Sequence, residues 1–283
     1  MKSVDDLFKT SENLQADARE KVVYVPLSEM HYFKNHPFKV LDDEKMLDTI
    51  ESIKQYGVLS PGLVRLSADG SFEIVSGHRR HHACELAGLT EMPVIVRDIT
   101  DDEAIIIMVD SNLQRETLLS SEKAFAYKMK LDAMKRQAGR PSKQNLSQVG
   151  TQKRSDQILA EQTGESRNQI QRYIRLTELM PELIQMVDDK TIAFSPAVEL
   201  SYLTKQEQEM LLEVMERDES APTLAQATKL KNQSQEGKLT SEVMDLIMHD
   251  DKPFETKLTF KDKEISKYFP SHYSTDQKMK YIF

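Results

Sequence analysis

The segment 156–176 (DQILAEQTGESRNQIQRYIRL) constrains the fold more than any other part of the chain. Gly164 lies where a turn between two helices needs a residue that tolerates a positive φ angle. Ser166 can cap the second helix, Ile170 directs an apolar side of that helix toward the first, and Ala160 allows the two to pack closely. The pattern is typical of a helix-turn-helix. An αα-hairpin in an all-helical domain, with no binding role, is the structural alternative.

The outer side of the second predicted helix carries residue types that bond to base edges and to phosphates. These residues are Ser166, Arg167, Asn168, Gln169, Arg172 and Arg175. Segment 135–175 contains nine Lys or Arg and three acidic residues, although the whole chain has a formal net charge of −8. A basic segment in an acidic chain indicates a localised phosphate contact and excludes a uniformly basic nucleic-acid coat. We therefore predict that this helix binds DNA.

Cysteine content and hydropathy indicate the cellular compartment. The single cysteine, Cys84, excludes an intramolecular disulfide bond and fits a reducing cytosol. Its position on a helical face with Ala and Leu predicts a buried structural thiol. No apolar run approaches the length of a membrane span. We therefore predict a cytoplasmic protein with no membrane partner, and the predicted DNA binding makes it nucleoid-associated.

The order of predicted elements indicates an α+β protein with separate α/β and all-α domains. A chain of 283 residues predicts two or three domains. The predicted divisions are a flexible tail at 1–20, a small α/β domain at 21–115, an all-α domain at 116–232 with a flexible basic insertion at 137–155, and a linker with a partial C-terminal α/β module at 233–283. Within 21–115 we predict strands at 22–25, 63–66, 72–75 and 93–97 and helices at 43–56, 79–87 and 101–112.

A glycine followed by histidine and two arginines, Gly77 to Arg80, follows a predicted strand and opens a helix. Glycine lets the backbone approach a ligand, the helix N-terminus offers free N–H groups, and two guanidiniums lie in the first turn. Together these features favour an anion, most simply a phosphate chain. Incidental basic residues at the start of a surface helix are the alternative. The nearby histidines have no Cys or carboxylate at ligand spacing, which argues against a structural metal site.

A second polar motif, Ser111-Asn112-Leu113-Gln114-Arg115-Glu116, ends a helix whose other residues are strongly apolar. A polar cluster that emerges from a buried helix often lines a site. A hydrogen-bonded hinge between domains is the alternative.

The order of these motifs resembles the ParB/RepB/Spo0J family of chromosome and plasmid partition proteins. The resemblance covers about residues 22–205 and depends on the motifs in combination. They are Gly-x-Arg-Arg-x-x-Ala at 77–83, Asn-x-Gln-Arg at 112–115, Gly-x-Ser-Arg at 164–167, Arg-Leu at 175–176 and Leu-x-Pro at 179–181. Tyr268-Phe269-Pro270 also resembles the start of a C-terminal module found in some members, with the remainder missing.

The resemblance implies that the α/β domain binds CTP with Mg²⁺. Gly77, Arg79 and Arg80 would hold the phosphates, with His78 standing where the family usually has Glu. Asn112, Gln114 and Arg115 would complete the pocket, with Asn112 near the metal. The resemblance further implies a dimer that reads a palindromic, parS-like DNA site and that CTP closes into a sliding clamp. A ParA-type ATPase is the implied partner, and the amphipathic spacing of residues 1–20 makes that tail its predicted docking site.

One departure from the family pattern concerns catalysis. The Glu that usually precedes Asn-x-Gln-Arg is Ser111 here, so we predict nucleotide binding with at most weak CTP hydrolysis and name no catalytic residue. A transcriptional regulator or nucleoid-associated factor on the same scaffold is the alternative function. An enzyme of the sulfiredoxin-like group is a third hypothesis, but its reductase form needs a Cys where this chain has Gly77.

Overall fold

The computed structural model of the chain describes residues 21–115, 117–139 and 154–249. The predicted N-terminal tail, most of the predicted basic insertion and the C-terminal part beyond His249 lie outside the described residues. None of the helices in the described ranges is both long and apolar enough to cross a membrane.

A mixed five-stranded sheet forms the centre of the N-terminal part, in the order β1-β5-β3-β4-β2. The strands are β1 (Val22–Pro26), β2 (Met30–Tyr32), β3 (Gly62–Leu66), β4 (Phe72–Ser76) and β5 (Glu91–Val96). The four predicted strands are confirmed to within two residues. Strand β2 was not predicted, because three residues are too few to show alternation. It exists through its parallel pairing with β4, in which Met30 lies opposite Phe72.

Helices cover both faces of this sheet. They are α1 (Glu44–Tyr56), α2 (His78–Ala87) and α3 (Asp101–Leu113). Neighbouring residues of β4 point to opposite faces, so Ile74 packs in a cluster with Met46 of α1, whereas Val75 packs with Met108 of α3. Cys84 on α2 is fully buried, and burial raises the pKa of its thiol to about 11. The prediction of a structural thiol is therefore confirmed.

Eight α-helices follow in the described part of the chain, and their caps explain where several of them begin. They are α4 (Ser120–Gly139), α5 (Ser155–Thr163), α6 (Arg167–Arg175), α7 (Pro181–Asp188), α8 (Phe194–Leu200), α9 (Lys205–Asp218), α10 (Leu224–Gln235) and α11 (Ser241–Met248). Thr204 and Thr223 form capping boxes, and Pro181 occupies the first turn of α7. Leucines 183, 200, 211 and 230 meet in one core.

Two predicted boundaries in this region are wrong. Residues 233–238, which open the segment predicted as a linker with a partial module, are instead the end of α10 followed by a turn at Gly237, and α11 then packs Met244 into the same core. The polar composition of that segment reflects an exposed helix end and not a linker. The predicted insertion begins too early, because α4 continues to Gly139. It also ends one residue too late, because α5 starts at Ser155.

Helix α4 joins the two parts of the molecule. Ala126 packs into the cluster of α3, while Tyr127 and Leu131 pack with Leu159 and Ile170 of the helix-turn-helix. The α/β domain and the helix-turn-helix are therefore built onto two different sides of one helix, and a movement of α4 must affect both.

Candidate nucleotide cleft and DNA-reading helix

The start of α2 has the geometry that the sequence predicted for an anion site. Gly77 adopts a left-handed conformation with φ +111°, and a Cβ there would lie 3.2 Å from the Cα of Gly62. Because Gly77 has no side chain to cap α2, the first N–H groups of the helix are left to other partners. Glycine is thus required here both by backbone conformation and by the close approach of β3.

A cleft of about 1310 Å³ lies between the α/β domain, α4 and the turn of the helix-turn-helix. Its wall includes more cations than anions, which suits a polyanionic ligand. The cations are Lys39, Lys45, Arg79, Arg115, Lys123 and Lys190. The carboxylates are Asp43, Asp110, Glu122 and Glu165.

Arg79 and Arg115 are the two cleft cations that the sequence predicted. The guanidinium of Arg79 donates to Asp43 at 2.9 Å, and that of Arg115 lies 5.7 Å from the centroid of the Phe38 ring. Burial lowers the pKa of Arg115 below its usual range, and although Glu122 opposes this shift, the positive charge of Arg79 adds to it. Two guanidiniums close enough to repel each other favour an anion between them.

The structure brings only three of the seven predicted nucleotide residues into the lining of this cleft: Arg79, Gln114 and Arg115. His78 is 2% exposed and stacks on His36, with 3.8 Å between ring centroids. Arg80 donates to the carbonyl oxygens of Ser60 and Pro61, both at 2.6 Å.

Asn112 is also buried, and its amide donates to the carbonyl oxygen of Met108 at 2.8 Å. For Gly77, His78, Arg80 and Asn112, contact with a nucleotide stays a prediction. Sequence reasoning missed Lys39, Lys45, Lys123 and Lys190, which are single lysines in unrelated segments and carry no shared signal.

The residue predicted to lie near Mg²⁺ is not at the cleft surface. The amide nitrogen of Asn112 donates to Met108, and Asn112 does not line the cleft, so contact of its side-chain oxygen with a metal ion stays a prediction. Within the described ranges, no group of three or more His, Cys, Asp or Glu side chains could hold a metal ion. We therefore assign no step to a metal.

The buried His78 and the half-buried His36 make the folded state sensitive to acid. Burial lowers the pKa of His78 to about 2 and that of His36 to about 4. Because these values lie below that of an unfolded histidine, about 6.5, the unfolded state takes up protons first as the pH falls below that value. The stabilisation is therefore complete above about pH 6.5 and is lost progressively below it.

We expect the free energy of unfolding to fall by about 2 kcal/mol between about pH 7.5 and about pH 5 through His78 alone. Urea unfolding at both pH values measures this change. The variant His78→Gln should lose that part of the pH dependence, whereas His31→Gln, at an exposed position, should retain it. Equal pH dependence in both variants would contradict the assignment to His78.

The helix-turn-helix has the predicted geometry. Gly164 ends α5 with φ +71°, and the hydroxyl of Ser166 accepts a hydrogen bond from the N–H of Gln169 at 3.1 Å, which caps α6. Ile170 and Leu159 are fully buried between the two helices and α4. The local predictions for this unit are confirmed.

The exposed face of α6 consists of Arg167, Asn168 and Gln171. Positions three and four residues apart share a side of a helix, and Gln171 lies three from Asn168 and four from Arg167, so these three form one surface. The guanidinium of Arg167 donates to Asp156 of α5 at 2.7 Å while its side chain stays 48% exposed. Gln171 was missed, although its spacing of four residues from Arg167 would have placed it on this face.

Arg172 and Arg175 instead tie α6 to the α8 region. Arg172 donates to the hydroxyl of Ser195 at 2.8 Å and lies 5.0 Å from the centroid of Phe194. Arg175 donates to the carbonyl oxygen of Ser201 at 2.6 Å. These contacts give both arginines a structural role, and their contact with DNA stays a prediction. Gln169 is half-buried and accepts from Arg172.

The structure thus defines a helix-turn-helix protein with an α/β domain and a basic cleft beside the helix-turn-helix. Two family models match the chain: the ParB N-terminal domain over residues 11–113 and the ParB HTH domain over residues 145–236. The chain therefore belongs to the ParB family.

The chain aligns with part of the length of several curated relatives. The chain is 38% identical over 161 residues to the probable chromosome 1-partitioning protein ParB of Deinococcus radiodurans, covering 57% of this chain and 49% of that protein. It is 29% identical over 201 residues to a nucleoid occlusion protein of Geobacillus sp. (strain WCH70), covering 71% of this chain and 65% of that protein. The chain thus spans between about half and two thirds of the length of these relatives.

Two solved structures of the C-terminally truncated chromosome-partitioning protein ParB from Caulobacter crescentus are also similar. The one complexed to the centromeric parS site has a TM-score of 0.43 at 22% identity and covers 75% of this chain and 99% of that chain. The one complexed with CTP-gamma-S has a TM-score of 0.32 at 24% identity and covers 69% of this chain and 99% of that chain.

Proposed function

We propose that this chain is a site-specific DNA-binding protein of the partition type that CTP switches between two states. One observation carries the proposal: Arg79 and Arg115 line the same cleft as Thr163 and Glu165 of the helix-turn-helix turn. A nucleotide held by the two arginines therefore lies beside the unit that reads DNA. The family membership and the partition proteins among the relatives support the same assignment.

The DNA-binding step uses the exposed face of α6. Arg167 offers paired N–H donors, and Asn168 and Gln171 offer amides, which are the groups that read base edges in the major groove. A palindromic, parS-like site read by two copies of this face requires a homodimer. Docking of a ParA-type ATPase on residues 1–20 stays a prediction that lies outside the described residues.

The switching step follows from the position of α4. A ligand that binds one arrangement of α4 better than another shifts the population toward that arrangement. Because α4 packs on α3 and on the helix-turn-helix, this shift changes how the DNA-reading unit is held. We propose that the shifted arrangement is the DNA clamp.

Binding without efficient hydrolysis is the expected activity toward CTP. The hydroxyl of Ser111 donates to the carbonyl oxygen of Met108 at 2.9 Å, and Ser111 does not line the cleft. Each of the four cleft carboxylates already accepts a hydrogen bond: Asp43 from Arg79, Asp110 from Lys130, Glu122 from the N–H groups of Lys39 and Leu119, and Glu165 from Lys123. Hydrogen bonds to the ionised form lower the basicity of a carboxylate, which makes each of the four a weaker general base for water.

Calorimetric titration of the full chain with CTP, ATP, GTP and UTP tests the proposal. We expect selective binding of CTP. Absence of binding by all four nucleotides would remove the switch and leave a helix-turn-helix protein that acts by site occupancy alone.

The nucleoid occlusion protein among the relatives favours a nucleoid-associated factor as the second candidate function. The extent of DNA protected around the specific site separates the two functions. Protection that spreads beyond the site when CTP is added supports the partition function. Protection confined to the site supports the nucleoid-associated factor.

A further inference from the structure

A buried lysine connects the α/β domain to the helix-turn-helix. Lys130 lies on α4 and is 1% exposed. Its ammonium donates to the carboxylate of Asp110 on α3, and also to the amide oxygen of Gln162 on α5 at 2.7 Å. One buried cation therefore holds together the last helix of the α/β domain and the first helix of the DNA-reading unit.

This bridge is sensitive to the loss of either partner. An ammonium removed from water is stable only while its charge is paired and its N–H groups are hydrogen-bonded. If Asp110 or Gln162 moves away, the buried ammonium of Lys130 loses a hydrogen-bond partner. A movement of α4 or α5 that brings the ammonium to other partners then lowers the free energy.

The bridge also forms part of the cleft wall. Asp110 and Gln162 both line the cleft that contains Arg79 and Arg115, and the side chain of Asp110 is 47% exposed. A phosphate chain held in the cleft would repel the carboxylate of Asp110 and offer Lys130 an alternative anionic partner. The charge of a ligand therefore acts directly on the bridge.

We propose that Asp110, Lys130 and Gln162 transmit occupancy of the cleft to the helix-turn-helix, and that a polyphosphate ligand releases α5 by drawing Lys130 away from Gln162. The proposal rests on the proposed function, because it names the element through which the same cleft is regulated. Lys130 acts here as a positioning residue.

Hydrogen–deuterium exchange of α5 tests the release. In the full chain we expect CTP, and the base-free probe inorganic tripolyphosphate, to speed exchange in α5 by about tenfold. In Gln162→Met, which keeps the Asp110–Lys130 pair, exchange should already be fast without ligand and should change little on addition of either probe. Lys135→Met, at an exposed position on α4, is the control and should behave like the unchanged chain.

The outcomes separate this inference from the proposed function. Exchange of α5 that speeds up with tripolyphosphate but not with CTP, and that no longer responds in Gln162→Met, supports the bridge. The same result contradicts the proposal that CTP is the ligand. Lack of response to both probes in the unchanged chain overturns the bridge as a transmitter. An equal response in Gln162→Met and in the unchanged chain overturns it as well, whatever the ligand.

Discussion

Replacement of Arg115 by Ala is expected to lower the affinity for CTP by about 10- to 100-fold, because it removes a charge-assisted hydrogen bond to the ligand in a partly desolvated cleft. Arg79→Ala should have a similar effect, because both guanidiniums line the cleft. DNA binding in the absence of nucleotide should remain intact, since neither residue lies on α6. Calorimetry for CTP and fluorescence anisotropy for DNA measure the two quantities separately.

Arg80→Ala is the informative comparison, because the family motif and the structure make different predictions for it. The motif assigns Arg80 to the phosphates, whereas its guanidinium bonds to the carbonyl oxygens of Ser60 and Pro61. The geometry therefore predicts a loss of stability larger than the loss of CTP affinity. Arg217→Ala removes an exposed arginine outside the cleft and should leave CTP affinity unchanged.

Simultaneous loss of CTP and DNA binding in Arg115→Ala would mean that the domain no longer folds.

Replacement of Arg167 by Ala is expected to weaken binding to the specific DNA site by about 1–3 kcal/mol, if measured against random DNA of the same length. The side chain is already held in place by Asp156, so little ordering is needed when it meets a base edge. Gln171→Ala should act in the same direction, because Gln171 shares the exposed face. An unchanged ratio of specific to random affinity would remove Arg167 from the recognition surface.

Arg172→Ala and Arg175→Ala should differ from Arg167→Ala in kind. Both side chains donate to serines of the α8 region, so their removal should lower the free energy of unfolding as well as DNA affinity. Thermal unfolding of the three variants distinguishes these effects. Arg217→Ala again provides the matched control for loss of one positive charge.

Features that depend on near neighbours in the chain were predictable. The helix start at Gly77, the left-handed Gly164, the cap at Ser166 and the buried Ile170 each follow from local backbone needs and from the 3.6-residue period of a helix. The motif order in turn identified the family, which the two family models confirm. Strand β2 and helix α11 could not be predicted in this way, because each is stabilised by contacts distant in the sequence.

The sequence by itself therefore determined the helix-turn-helix, the helix start at Gly77 and the membership of the ParB family. Only the tertiary structure decided which neighbouring arginine faces the cleft, because successive residues on a helix differ by about 100° and packing selects the side. It also decided that Arg172 and Arg175 brace α6, and that Lys130 is buried between Asp110 and Gln162. Such pairings join residues that are 20 or more positions apart, and no local pattern encodes them.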